Sequence, residues 1–226
     1  MTEIVAEILV VVPFCALALH LWLRARRAEA LLVAGDREHR EVVAEITDLA
    51  ERDPLTGVAN RRAFNRALAE LQHRAGTARA GALILIDLDN FKQVNDRLGH
   101  QRGDDVLRHV AQAIRRRVRD TDLVARLGGD EFAVVLQGVD ADRAQAVADD
   151  LRAGIRETCC TDLPPRAAFD ASVGVASLDP EGRAGDVVQL VARADAAMYR
   201  VKRAHRSGGR RRRFRPVVEQ LELSSG

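Results

Sequence analysis

Residues 4–23 form an almost unbroken apolar run, interrupted by Glu7, Pro13 and His20. About twenty apolar residues are what a helix needs to cross a bilayer. Proline is tolerated in such helices, and Glu7 and His20 lie near the ends of the run. Arg24, Arg26 and Arg27 come immediately after it, whereas Met1 to Glu3 carry no basic residue. The positive-inside rule therefore places the rest of the chain in the cytoplasm. The pattern predicts a single-pass transmembrane anchor with a basic flank over residues 1–27. A cleaved signal peptide is not indicated, because the basic leading segment is missing; a soluble amphipathic helix is the alternative.

Residues 28–52 are helical and charged in pattern. Leu32, His39 and Ile46 share one heptad position, with Val42 and Leu49 on its partner position. Such a segment is a short parallel coiled-coil stalk or a solvated amphipathic linker. Asp53-Pro54 ends it, since the residue before proline is pushed out of the helical region.

Beyond that boundary the pattern alternates between helical and extended periods. Helices are expected over 60–72, 103–119, 142–157 and 186–205, and strands over 82–86, 123–125, 132–136 and 168–176. This β-α-β-β-α-β succession predicts an α+β domain over 53–215, a ferredoxin-like sheet with helices packed on one face. Arg210 to Val218 adds an edge strand or is a basic terminus, and 216–226 is a tail.

Composition changes this picture in two places. The net charge of +2 is close to balance, so no global field calls for a nucleic-acid partner. Among 35 basic residues only Lys92 and Lys202 are lysine, which singles out both. Cys15, Cys159 and Cys160 form neither a metal-ligand spacing nor a disulfide framework.

The candidate chemistry lies at two strand ends. Leu83 to Leu88 is an apolar strand that runs into Asp87 and Asp89, which share a face because strand side chains alternate. The pair suits a hard cation such as Mg²⁺, or caps the next helix. The second place is Arg126-Leu127-Gly128-Gly129-Asp130-Glu131-Phe132, a Gly-Gly hairpin between two apolar strands. Acids on such a hairpin call for a metal or a polyphosphate complex to neutralise them, and glycines let a nucleotide approach the backbone. An ordinary exposed turn is the alternative. No Gly-x-x-x-x-Gly-Lys-Ser/Thr loop is present, so a P-loop mechanism is not supported.

Gly128-Gly129-Asp130-Glu131-Phe132 resembles the signature of the GGDEF family of diguanylate cyclases. Asp53 to Arg62 is similar to that family's opening motif, and Asp87 to Asp96 with Gly99-His100 and Gly103-Asp104 to its metal and guanine segment. Ser172 to Ala176 is similar to its later strand, and Ala194 to Tyr199 with Lys202 to its closing helix. The resemblance implies a palm-type nucleotidyl cyclase that joins two GTP into cyclic di-GMP in a homodimer, with Mg²⁺ or Mn²⁺. It implies Asp87, Asp130 and Glu131 as catalytic acids, and Asp87, the Leu88 carbonyl, Asp130 and Glu131 as metal ligands. Glu131 is either ligand or base. Asn95 and Asp104 would read guanine. Phe91, Lys92, Gly128 and Gly129 would line the nucleotide, and Lys202 and Arg206 would hold its terminal phosphates. Arg119 and Asp122, with Leu123 to Leu127 separating them from Gly128, fit the family's Arg-x-x-Asp product-inhibition motif; a surface ion pair is the alternative.

With the apolar run, the resemblance implies a bacterial inner-membrane location with the catalytic domain in the cytoplasm. His205-Arg206-Ser207 departs from the Gly-Arg-Asn common in the family. A non-catalytic cyclic di-GMP receptor that keeps the fold is the rival reading, as is a cyclase of altered base choice.

Overall fold

Strand β1, Gly81–Asp89, is buried at all nine positions. Alternate side chains of a strand point to opposite faces, so burial at both parities requires cover on both faces of the sheet. The computed structural model describes residues 22, 24, 26, 50–73, 81–162, 170–178 and 187–205, and it has that cover. The domain from Glu51 onward contains α1 (Arg61–His73), β1, α2 (Phe91–Leu98), α3 (His100–Arg115), β2 (Leu123–Gly128) and β3 (Glu131–Gln137). After these come α4 (Ala141–Asp162), β4 (Asp170–Ser177) and α5 (Val187–His205). The strands form one sheet in the order β2-β3-β1-β4, and every neighbouring pair is antiparallel.

The even-numbered residues Ala82, Ile84, Ile86 and Leu88 pack with Phe91 and Val94 of α2, Val110 and Ile114 of α3, and Leu151 and Ile155 of α4. Leu83 and Leu85 pack on the opposite face with Phe64 and Leu68 of α1 and Leu190, Val191 and Met198 of α5. Each fully buried aliphatic side chain contributes about 1.5–3 kcal/mol. The expectation of helices on one face is thus corrected. The connecting helices α2 to α4 do share a face, but α1 and α5 cover the other, because both parities of β1 are equally apolar.

Two boundaries matter for the site. Strand β1 outlasts its expected end, since its ladders continue through the acids to pair Asp87 with both Glu131 and Ser172. Helix α2 was not expected from the pattern. It starts after Asn90, whose left-handed φ of 62° turns the chain, and ends at Gly99 with φ 85°. On the α5 face, a Cβ at Gly174 would overlap Ala194 O and the Met198 amide, so helix and strand approach at backbone distance.

The expected membrane location is overturned: no helix among the described residues is long and apolar enough to cross a membrane. The longest, α4, is 22 residues and carries charges along its length. The apolar run over residues 4–23 lies outside the described residues apart from Trp22. So does the expected stalk up to Leu49, and so do Arg206 and the tail.

Candidate active site

The β2–β3 hairpin is built by two glycines and held by two arginines. Gly128 and Gly129 have φ of 142° and 55°, and the register shifts between Arg126 and Gly128 so that Gly128 stands opposite Glu131. Such a bulge re-aims the side chains beyond it. Arg126 donates through Nε and Nη2 to Gly129 O at 3.1 and 2.9 Å, and through Nη1 to both carboxylate oxygens of Asp53 at 3.2 Å. Arg61 donates through Nε and Nη2 to Leu127 O at 2.9 and 2.6 Å. Asp53 also accepts from the Thr56 amide and hydroxyl at 2.9 and 2.6 Å. Burial pushes the Asp53 carboxyl up, but the bonds from Thr56 and Arg126 outweigh this and leave it below its ordinary value.

Beside this hairpin the sheet gathers acids. Asp87 is 4% exposed and stands opposite Glu131 across β1 and β3, while the Leu88 amide donates to Asp130 O at 3.2 Å. Lys202, buried on α5, places Nζ 2.5 Å from Asp87 Oδ2. Burial raises the Asp87 carboxyl to about 6; Lys202 opposes the rise, and the charges of Asp130 and Asp89 add to it. Burial likewise raises Glu131 to about 7, with Asp87 and Asp130 adding and Arg61 and Lys202 opposing. Burial and the neighbouring acids thus both disfavour the ionised carboxyls here, and a bound cation would offset that cost.

A hard divalent cation fits these residues. Asp87 Oδ1 is buried and meets no hydrogen-bond donor among the described residues, and the donor set is all oxygen. No three His, Cys, Asp or Glu side chains among the described residues are gathered into a coordinating group.

The expected guanine readers form a second group at the α2–α3 corner. Asn95 and Asp104 are half-buried. A Cβ at Gly103 would overlap Asn95 Oδ1, so the glycine leaves room for that amide. Phe91 is 8% exposed and packs in the core beneath Gly103, and Lys92 is exposed on α2.

Arg119 and Asp122 precede β2 at the end away from the glycine turn, roughly 20 Å along the strand at about 3.3 Å per residue. Asp122 accepts from its neighbour's amide, Arg119 N, at 3.0 Å and from Gln137 N at 3.3 Å. Its carboxylate braces a turn, and the Arg119 side chain is left exposed.

Sequence reasoning missed the hairpin clasp of Asp53, Arg61 and Arg126. Their motif was visible, but partners 66 and 73 residues apart leave no local signal. It also missed a polar cluster around Asp89, in which Ser172 Oγ donates to both carboxylate oxygens at 2.9 and 3.0 Å.

A four-stranded antiparallel sheet covered by helices, with an acidic glycine hairpin beside its central strand, is the architecture of a GGDEF domain. The chain belongs to that family: residues 50–208 match the diguanylate cyclase, GGDEF domain. Diguanylate cyclase TpbB of Pseudomonas aeruginosa is 40% identical over 190 residues, which is 80% of this chain and 42% of TpbB. Pseudomonas aeruginosa diguanylate cyclase SiaD, solved in complex with its activator SiaC, is similar with TM-score 0.64 and 33% identity, covering 90% of this chain and 81% of that one. The coiled coil and GGDEF domain of DgcB from Caulobacter crescentus, in complex with c-di-GMP, is similar with TM-score 0.65 and 30% identity, covering 80% and 95%. The chain spans 42% of the length of TpbB and as little as 22% of other curated relatives it matches.

Proposed function

We propose that this domain is a diguanylate cyclase, condensing two GTP into cyclic di-GMP and two pyrophosphates. The observation that carries the reading is the group of buried Asp87 and Lys202 with half-buried Glu131 beside the glycine hairpin. In each of two equivalent steps a ribose 3′-oxygen attacks the α-phosphorus of the other nucleotide. A phosphorus–oxygen bond forms, the bond to pyrophosphate breaks, and the hydroxyl proton is lost to a base. Asp87, the Leu88 carbonyl and Asp130 would hold the divalent cation, which when bound polarises the α-phosphate and offsets the charge of the leaving group. Glu131 takes the proton or adds a further oxygen to the cation's seat; Glu131→Gln removes the base and leaves only a neutral amide oxygen in place of the carboxylate.

The remaining residues position substrate, which is where most of the rate of such a reaction arises. Asn95 and Asp104 offer an amide and a carboxylate that match the guanine edge. Gly128 and Gly129 admit phosphates close to backbone, and Lys202, with Arg206, meets the terminal phosphates. Each domain presents one GTP, so two copies must face each other for mutual attack, and the active form is a homodimer. Arg119 with Asp122 forms a separate site for the product, because an exposed guanidinium on a braced turn suits the grip of guanine or phosphate.

The test incubates the full chain with GTP and Mg²⁺ beside Glu131→Gln, and identifies products by chromatography and mass. Cyclic di-GMP from the parent alone supports the enzyme. Intact GTP at high protein concentration, where dimers form, sinks it in favour of a cyclic di-GMP receptor.

A further inference from the structure

Two rungs join α5 to β1. The inner rung is Lys202 Nζ on Asp87 Oδ2 at 2.5 Å, and the outer one is His205 Nδ1 with Asp89 Oδ2 at 2.7 Å. Residues two apart on a strand share a face, and residues three apart on a helix are neighbours. The spacings 87/89 and 202/205 therefore let the two rungs stand side by side.

The outer rung is braced from two further elements. Arg152 Nη2 on α4 lies 2.8 Å from His205 Nε2, and Arg152 pairs with Asp170 on β4 through Nε and Nη2 at 3.2 and 2.8 Å. A guanidinium only donates, which assigns Nε2 as the acceptor and puts the ring proton on Nδ1, donating to Asp89. Ser172 on β4 completes the shell of Asp89, which is 7% exposed. His205 thus ties the end of α5 to α4 through Arg152 and, through Asp89 and Ser172, to the end of β4.

The last turn of a helix is its weakest part, because its final carbonyls have no partner within the helix. Lys202 and His205 both lie in that turn of α5. We infer that His205 is a positioning residue for the proposed cyclase site: its bond to Asp89 pins the last turn of α5 and so holds Lys202 Nζ at Asp87. The inference rests on the reading of Lys202 as a substrate-contacting cation.

Lys92 and Lys202 are the only lysines, which makes the test direct. The full chain carrying ¹³C-labelled lysine gives two ε-methylene signals, and Lys202→Arg identifies one of them. In the parent the ε protons of Lys202 are expected to be inequivalent. In His205→Ala they become equivalent, as for exposed Lys92, and His205→Asn, whose amide nitrogen stands where Nδ1 does, restores the difference. A second arm measures affinity for a non-cyclisable GTP analogue with an α,β-methylene bridge in Mg²⁺, and turnover of GTP. His205→Ala is expected to weaken analogue binding about ten-fold, as loss of one hydrogen bond to a charged group does, and to change KM more than kcat. In a Lys202→Met background the same substitution should have no further effect, because residues that act through one another are not additive. An unchanged Lys202 signal in His205→Ala, or an undiminished loss of affinity in the Lys202→Met background, overturns the inference. A parent that neither binds the analogue nor makes cyclic di-GMP overturns the cyclase reading instead, while the lysine spectra still decide whether His205 holds Lys202.

Discussion

Asp87 and Glu131 are register partners across the β1–β3 ladder, so a buried and a half-buried carboxylate share one rung, with a single lysine paired to Asp87. Like charges placed directly opposite on a sheet destabilise it. Burial is the main reason both groups sit above their ordinary values, about 6 for Asp87 and about 7 for Glu131, and the Asp87 charge adds to the rise at Glu131.

The sign of the resulting pH dependence is set by linkage. Both carboxyls bind protons more tightly when folded than when unfolded, so the folded state is favoured at low pH. That contribution is full below about pH 4 and is lost as pH rises through about 6 and then about 7. Urea unfolding of the chelator-treated protein should therefore show a falling midpoint between pH 5 and 8. Glu131→Gln should flatten the slope, and added Mg²⁺ should raise the pH 8 midpoint more than the pH 5 one. A midpoint that climbs with pH in the parent and not in the variant would contradict this.

Gly103→Ala should act on nucleotide affinity and leave the sheet intact. The added methyl group overlaps Asn95 Oδ1 and turns that amide out of its place. Loss of the hydrogen bonds it offers is expected to weaken GTP binding about ten-fold. Titration calorimetry with a non-cyclisable analogue reads the change, and circular dichroism should match the parent.

Removing the hairpin clasp should cost stability as well as activity. Arg126→Ala leaves Gly129 O and the Asp53 carboxylate without their guanidinium, and charged hydrogen bonds of this kind contribute about 1.5–3 kcal/mol. A lower urea midpoint at unchanged slope is the expected result. Equal midpoints would mean the clasp is energetically idle.

Arg119 and Asp122 should separate cleanly despite sharing a motif. Arg119→Ala removes an exposed side chain, so stability should stay within about 0.5 kcal/mol while inhibition by added cyclic di-GMP is relieved. Asp122→Ala removes the acceptor for two amides and should lower stability by about 1 kcal/mol. If Arg119→Ala is inhibited by product as strongly as the parent, the second site is not there.

The sequence announced the order of strands and helices and the acids at the strand ends, because period and turn chemistry are local signals. In the structure Asp87 stands opposite Glu131 and pairs with Lys202, beside the hairpin that carries Asp130. What stayed hidden needs long-range contact. The second helical layer comes from Leu83 and Leu85 being as apolar as Ile84 and Ile86, yet a short apolar run reads the same whether one face or two are covered. Helix α2 escaped because its eight residues are mostly polar and its start depends on Asn90 in a left-handed conformation. Phe91, grouped with nucleotide-lining residues by motif, lies in the core, where an aromatic at the first turn of a helix packs under its neighbour.

Arg126 ties Asp53, at the start of the domain, to Gly129 at the hairpin tip, with 73 residues separating Asp53 from Arg126 alone. The glycine turn is therefore tied to the first residues of the domain, and not to its own two strands alone. A protein trimmed to begin at Leu55 would retain every strand and every acid of the site yet lack the one carboxylate that seats Arg126. Its hairpin tip would be the first place for a protease to cut.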